Sequence, residues 1–208
     1  MRSAIFTRTP LLVPLAFFLA SFAHAQDAWH FPDFSATQVF QSQRAEITMK
    51  VYRSGSSVRV ERTRAISTLY VPAKKTIYNF TVYPDNSHQC VSMRPEQAKM
   101  LPNPLELIQG KIVKRALVGH EVVQGHRSKV EEIAVARPDG KTIKSKVWEA
   151  EDLKGVPVKI ESYVGGITLR AFYRDIVLGA PDQALFTIPN RCTPFEKMGQ
   201  VAEVRILK

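Results

Sequence analysis

Histidine and carboxylate side chains that could bind a metal come together in one short stretch of this 208-residue chain. His120 and His126 flank Glu121, and strand alternation would place the two imidazoles on one face. Gly125 interrupts that strand, however, and no Cys or Asp completes a tetrahedral ligand set. The pattern therefore predicts no metal site.

The acidic clusters do not predict acid–base catalysis either. Glu131 and Glu132 are consecutive, so in a strand their side chains face opposite sides. Glu149, Glu151 and Asp152 are expected in a charged turn. The sequence has no nucleophile elbow, Ser-x-x-Lys motif, phosphate-binding loop or dinucleotide fingerprint. We therefore expect a protein that is not an enzyme and needs no cofactor.

Two cysteines, Cys90 and Cys192, are the remaining reactive side chains. In an oxidising compartment an even pair is most simply a disulfide, here closing a loop of about 100 residues. Two free buried thiols are the alternative. A redox-active pair is disfavoured, because no Cys-x-x-Cys spacing is present to lower a thiol pKa.

The amino-terminal residues predict that the chain is exported to such a compartment. Two arginines precede an apolar run from Leu11 to Phe22, and Ala23-His24-Ala25 has small residues where a signal peptidase reads them. An uncleaved membrane anchor is the alternative, but the run is too short to span a bilayer comfortably. We expect a signal peptide over residues 1–25, cleavage between Ala25 and Gln26, and a periplasmic or secreted single domain over residues 26–208.

The charge of the chain is strongly basic. The formal net charge is +10, and it falls to +8 when Arg2 and Arg8 leave with the predicted signal peptide. This sign favours anionic partners such as a membrane surface. The basic residues are scattered along predicted strands and form no recognisable nucleic-acid-binding module, so no nucleic-acid partner is expected.

Alternation of apolar and polar residues predicts antiparallel strands through most of the chain. A hairpin is predicted from Ala45 to Arg64 around the turn Ser54-Gly55-Ser56-Ser57, and a second pair joins Ser67–Val71 to Thr76–Tyr83. Further strands are predicted near Cys90 and at 112–118, 121–124, 127–136, 142–149, 156–163 and 167–177, with weaker candidates at 184–188 and 201–207.

Helix signals occur in the middle of the chain. Pro95 to Met100 lacks strand alternation, and Asn103 and Pro104 suit the cap and first position of a second helix that Gly110 would close. Such short helices are too weak to stand alone, so they must pack on the sheet. Their apolar residues are Met100, Leu101, Leu105 and Ile108.

Three segments of the chain resemble a known superfamily in their order and spacing. They are Val118-Gly119-His120-Glu121-Val122-Val123-Gln124-Gly125-His126, then Val147-Trp148 followed by Gly155-Val156-Pro157-Val158-Lys159, then Gly179-Ala180-Pro181-Asp182 followed by Leu185-Phe186-Thr187-Ile188-Pro189. Together they resemble the bacterial periplasmic lipoprotein-carrier-like superfamily, and within it a family of exported domains with no assigned activity. The resemblance implies a mainly β (α+β) fold, an open antiparallel half-barrel whose apolar concave face is covered by a short helical lid.

The resemblance also implies a function. A sheet with one apolar face must bury that face or bind something there, and acyl chains need only apolar walls. The predicted partner is a lipid or acyl chain. The alternative is a protein-interaction or sensory module of the cell envelope that contacts a protein partner with the same fold. The candidate ligand-binding residues are Tyr78, Phe80 and Val82 as one wall, and Met100, Leu101, Leu105 and Ile108 from the lid.

Overall fold

The computed structural model describes residues 31–41, 46–98, 103–108, 110–137 and 140–198. The predicted signal peptide and its cleavage site at Ala25 and Gln26 lie outside the described residues. Met100, Leu101 and the strand predicted at 201–207 also lie outside them.

Twelve strands form one open sheet across the described residues, as the mainly β prediction expects. Neighbouring strands are antiparallel, except that the last two pair in parallel. The spatial order is β12-β6-β5-β4-β3-β2-β1-β11-β10-β9-β8-β7, so that the sheet ends at β12 and at β7. The strands are β1 Phe34–Gln41, β2 Glu46–Ser54, β3 Ser57–Glu61, β4 Ile66–Val71, β5 Thr76–Val82, β6 His88–Met93, β7 Lys111–Val123, β8 His126–Ala136, β9 Thr142–Ala150, β10 Pro157–Val164, β11 Ile167–Leu178 and β12 Thr193–Pro194.

Tight turns explain why most neighbours in sequence are neighbours in the sheet. The β10–β11 hairpin turns through Gly165 and Gly166, whose φ angles are +57° and +82°. Two consecutive positive φ angles match the right-handed twist of the flanking strands, and glycine adopts them without a Cβ clash. The Ser54–Ser57 turn joins β2 to β3 as predicted.

The strand that joins the two halves of the sheet is one that the alternation pattern did not predict. β1 pairs with β2 on one side and with β11 on the other. Its residues Phe34, Ala36, Gln38 and Phe40 point to one face and are buried. The polar Gln38 at a core position interrupts the apolar alternation that marks the other strands.

Two other strand predictions are wrong. Residues 112–118 and 121–124 belong to one 13-residue strand, β7, which passes Gly119 through a bulge rather than a turn. The segment predicted as a strand at 184–188 instead contains a 3₁₀ helix, Gln183–Phe186, capped by the Asp182 side chain.

The sheet has two faces, which we name by what covers them. The inner face carries Val51, Val147, Ile160 and Leu169 and packs against the single α-helix, α1 Pro104–Leu107. The outer face carries Leu69, Trp148 and Lys159 on the opposite side of the same strands. Since side chains alternate along a strand, every strand residue can be assigned to one face from the register.

Helices are few and short. The helix predicted from Pro95 to Met100 is a 3₁₀ turn, Pro95–Gln97, in its described part. The predicted cap at Asn103 is confirmed, because its side chain accepts a hydrogen bond from the Leu105 amide at 2.9 Å. Short 3₁₀ helices also occur at Pro72–Lys74 and Phe195–Lys197. None of the helices in the described part of the chain is long and apolar enough to cross a membrane.

Candidate ligand site on the inner face of the sheet

Helix α1 lies on the inner face and is held there by apolar contacts. Leu105 and Ile108 are 0% exposed and belong to the main core cluster. That cluster takes residues from both halves of the sheet, among them Phe34, Val58 and Ile160. A helix of four residues has no independent stability, so its position depends on these contacts.

One side-chain amide pair links α1 to the sheet below it. Asn103 Nδ2 donates to Gln38 Oε1 at 2.8 Å, and Gln38 Nε2 donates to Asn103 Oδ1 at 3.4 Å. Gln38 is fully buried on β1. Because a buried amide without partners is costly, Gln38 explains why the chain enters α1 at this place.

A second polar group under α1 is Tyr173 of β11. It is fully buried, and its Oη atom has no hydrogen-bond partner among the described residues. Burial raises the pKa of the Tyr173 hydroxyl well above its ordinary value, and the nearby Glu106 carboxylate raises it further. Burial also raises the pKa of Glu106 to about 7. The apolar inner face therefore contains a small polar patch beneath the helix.

The predicted aromatic wall is not under the helix. The register pairs Tyr78 with Leu69 and Phe80 with Cys90, which places the Tyr78, Phe80 and Val82 stripe on the outer face. Tyr78 and Phe80 pack there against Phe186, Ile188 and Cys192 of the carboxy-terminal segment. The prediction that this stripe and α1 share one apolar surface is wrong, because alternation gives the parity of a stripe but not the face it occupies.

The predicted disulfide is confirmed. Cys90 of β6 is bonded to Cys192, and their Cα atoms are 4.6 Å apart. The bond fixes the carboxy-terminal segment on the outer face of β4 to β6. Arg59 Nη1 supports the same segment by donating to the Leu185 carbonyl oxygen at 2.8 Å.

The inner face is filled by α1 in this structure, and the two main concavities of the described residues lie elsewhere. A trough of about 400 Å³ lies on the outer face of β7 to β11. A smaller hollow of about 170 Å³ lies beside the disulfide, between Phe80, His88 and Arg191. A ligand can reach the inner face only where α1 moves away from it.

Arg53 is a buried inner-face residue that the sequence pattern did not single out. Its Nη1 atom donates to the Phe31 carbonyl oxygen at 2.6 Å and lies 3.3 Å from Asp33 Oδ1. Its guanidinium carbon lies 4.2 Å from the centre of the Phe31 ring. Burial lowers the pKa of Arg53, which Asp33 partly opposes. Arg53 thus anchors the segment that leads into β1, and it has no contact with α1 among these interactions.

Four charged residues meet at the β7–β9 end of the inner face. Arg115 Nη2 lies 3.1 Å from Glu149 Oε1, and Arg115 and Lys129 both form ion pairs with Glu131. Glu149 is at the end of β9 rather than in the turn where it was predicted. Burial and the neighbouring Glu131 raise the pKa of Glu149 to about 7, against the opposing charges of Arg115 and Lys129. These residues come from three strands, so their spacing in the sequence gives no sign of the cluster.

The raised pKa of Glu149 predicts a loss of stability with rising pH. Its ordinary pKa of 4.5 applies to the unfolded chain, so the folded chain holds the proton more tightly. The favourable contribution is complete below about pH 4.5 and is lost as the pH rises through about 7. We expect Glu149→Gln to reduce the fall in the free energy of unfolding between pH 4.5 and 8 by about 2 to 3 kcal/mol.

Urea unfolding at several pH values measures this effect. Glu132→Gln is the matched control, because Glu132 is the exposed neighbour of Glu131 on β8 and faces the other side of the sheet. The control should keep the wild-type pH profile. A Glu149→Gln profile that also matches wild type would contradict the assignment.

The histidines considered for metal binding are in ion pairs instead. His126 Nδ1 lies 2.8 Å from Asp152 Oδ2, and His120 Nε2 lies 3.4 Å from Glu151 Oε1. Across the described ranges, no group of three or more His, Cys, Asp or Glu side chains is arranged to hold a metal ion.

No protein-family model matches the sequence, and no curated protein matches it either. Solved structures do match. One is the Pseudomonas aeruginosa MucA/MucB complex, at 16% identity over 77% of this chain, with a TM-score of 0.43. Another is the Mycobacterium tuberculosis lipoprotein LppX, at 10% identity over 71% of this chain and 89% of its own, with a TM-score of 0.40.

A third similar structure is a putative outer membrane lipoprotein-sorting protein domain from Vibrio parahaemolyticus. It is 12% identical over 74% of this chain and 89% of its own, with a TM-score of 0.31. The structural neighbours thus include proteins of the kind that the sequence resemblance predicts. This chain spans only 57% of the MucA/MucB chain that it matches.

Proposed function

We propose that this protein binds an amphiphilic, lipid-like ligand on the inner face of its sheet and carries out no chemistry on it. The observation that supports the proposal is the cover of that face. In the described part of the chain, α1 brings Leu105, Leu107 and Ile108 onto a broad apolar surface. These side chains fill the space that an acyl chain would use.

The hold on α1 is weak enough for exchange. The helix has four residues, and its side-chain hydrogen bonds to the sheet are the Asn103–Gln38 pair. Short elements with few contacts open at a small fraction of the global unfolding free energy. When α1 leaves, Gln38 and Tyr173 remain on the sheet as polar groups that a ligand head can satisfy. Leu105 and Ile108 are then the described lid residues over the ligand.

A different observation favours a second candidate function, contact with an envelope protein. Strand β7 is an edge of the sheet, and its outer backbone groups are unpaired among the described residues. It exposes apolar side chains, with Leu117 56% and Val122 73% exposed. An extended peptide could add to such an edge as a further strand.

Uptake of a fluorescent long-chain fatty acid by the delipidated protein tests the two candidates. A carrier should bind the probe, release it to unlabelled long-chain fatty acid, and keep it in the presence of hexanoate, which has the same head group and little apolar surface. A folded, delipidated protein that takes up no probe would exclude the carrier function and leave the edge-strand contact as the better account.

We also propose that the chain is exported and cleaved after Ala25, so that residues 26–208 act as one domain in the periplasm or outside the cell. The small residues at Ala23 and Ala25 and the apolar run before them support this proposal. Amino-terminal sequencing of the protein from the envelope fraction should begin at Gln26. A mature fraction that still begins at Met1 would contradict it.

A further inference from the structure

The outer-face trough is separate from the inner face and from the disulfide-bound segment. It crosses β7 to β11, with a volume of about 400 Å³. Ala116 and Ala134 leave it open, because neighbouring side chains on the same face are longer. The volume falls in the range of sites for small organic molecules rather than single ions.

Two lysines stand on either side of Ala134. The register pairs Lys114 of β7 with Ala134 of β8, and Ala134 with Lys144 of β9, so all three point to the outer face. The two lysine Cα atoms are about 10 Å apart, since strands are spaced by about 4.8 Å. Each four-carbon stem is long enough for its ammonium group to reach a single anion above Ala134.

The charges of the trough are unevenly satisfied. Lys114 and Lys144 are exposed and make no ion pair or hydrogen bond with another described residue. Lys146, in the next row, lies 3.7 Å from Glu121 Oε1. Glu161 also lines the trough, but it is already paired with Lys159 at 2.9 Å and Arg170 at 3.1 Å.

The ion pairs of Glu161 keep it from neutralising the lysines. Burial would raise the pKa of its carboxyl, but Lys159 and Arg170 outweigh burial and hold the pKa below the ordinary value. Glu132 is the remaining acidic residue of the lining. The trough therefore keeps a net positive charge, with its two unpaired cations beside the opening over Ala134.

We propose that the trough binds the phosphate group of a small organic phosphate ester, held between Lys114 and Lys144. Several ammonium groups around one anion suit phosphate, which offers three acceptor oxygens. The Tyr163 side chain, 60% exposed, forms another wall and provides an apolar surface for the carbon skeleton of the ester. The same group occurs in soluble phosphate esters and in the head groups of anionic lipids.

Titration with glycerol 3-phosphate, and flotation with phosphatidylcholine vesicles containing phosphatidic acid, test the proposal and separate the two sources. Glycerol and pure phosphatidylcholine vesicles are the uncharged controls. Binding of the soluble ester alone supports a free ligand, and binding of the charged vesicles alone supports a lipid head group. Failure to bind either phosphate probe would overturn the proposal.

Three variants show whether the trough itself is the site. Lys114→Gln with Lys144→Gln should weaken binding at least about tenfold, since each lost charged hydrogen bond is worth at least that much. Ala134→Leu keeps every charge but fills the opening, and should weaken binding to a similar extent. Lys74→Gln with Lys197→Gln removes two exposed lysines elsewhere and should change binding less than about twofold.

Overall basic charge is the competing explanation for binding. Equal losses in the two lysine pairs would show that net charge, rather than the trough, attracts the anion, and would overturn the proposal. Wild-type binding by Ala134→Leu would do the same. Uptake of fatty acid on the inner face is read separately in the same variants and should not change.

Discussion

Replacing Cys90 and Cys192 together with alanine is expected to lower the free energy of unfolding by about 4 kcal/mol. The disulfide joins residues 102 positions apart, and closing so long a loop removes much of the entropy of the unfolded chain. The segment that it holds has little other support from the sheet, because β12 pairs with β6 over only two residues. Urea unfolding of the oxidised wild type and the double variant measures the difference.

Reduction of the wild type provides the matched control for the disulfide. A reducing agent should lower the stability of the wild type to that of the double variant, and should leave the variant unchanged. Hydrogen exchange should increase first in the 183–195 segment and in its contact residues Leu69 and Tyr78. A variant that unfolds at the wild-type urea concentration would show that packing alone holds this segment.

Replacing Leu105 with alanine is expected to lower the free energy of unfolding by about 2 to 4 kcal/mol and to strengthen the binding of long-chain fatty acid. Leu105 is fully buried, so truncation leaves a cavity between α1 and the inner face. If α1 competes with the ligand for that face, weaker packing raises the fraction of open protein. The apparent Kd should then fall by about tenfold or more.

Leu69→Ala is the control for the lid. Leu69 is also fully buried and loses the same atoms, but it lies in the outer-face cluster with Tyr78 and Cys90. It should cost a similar amount of stability and leave the apparent Kd unchanged. Equal changes of Kd in both variants, or no change in either, would contradict the role of α1 as a lid over the ligand.

Local signals in the sequence were sufficient for most strands, for several turns and for the start of α1. These features depend on neighbours in the chain: alternation in β2 and β3, the Ser54–Ser57 turn, and the cap at Asn103. Predictions failed where distant residues decide the outcome. Gln38 occupies a core position in β1 because Asn103, 65 residues away, satisfies its amide. Gly119 lies within β7 because β8 pairs with both sides of the bulge.

The candidate sites depended even more on the tertiary structure. Leu105 and Ile108 were found from their position in a capped helix, and the structure buries both. Met100 and Leu101 lie outside the described residues. The charged cluster of Arg115, Glu131 and Glu149 and the lysines of the trough come from separate strands, so only the register brings them together.

The sequence by itself determined that this is a mainly β protein with short helices and one cysteine pair. Alternation, turn residues and composition act within a few residues or over the whole chain, and both can be read without coordinates. The tertiary structure decided which stripe faces α1 and which is covered by the carboxy-terminal segment. Alternation makes the two faces of a strand different, but only the neighbouring elements determine which face is buried and by what.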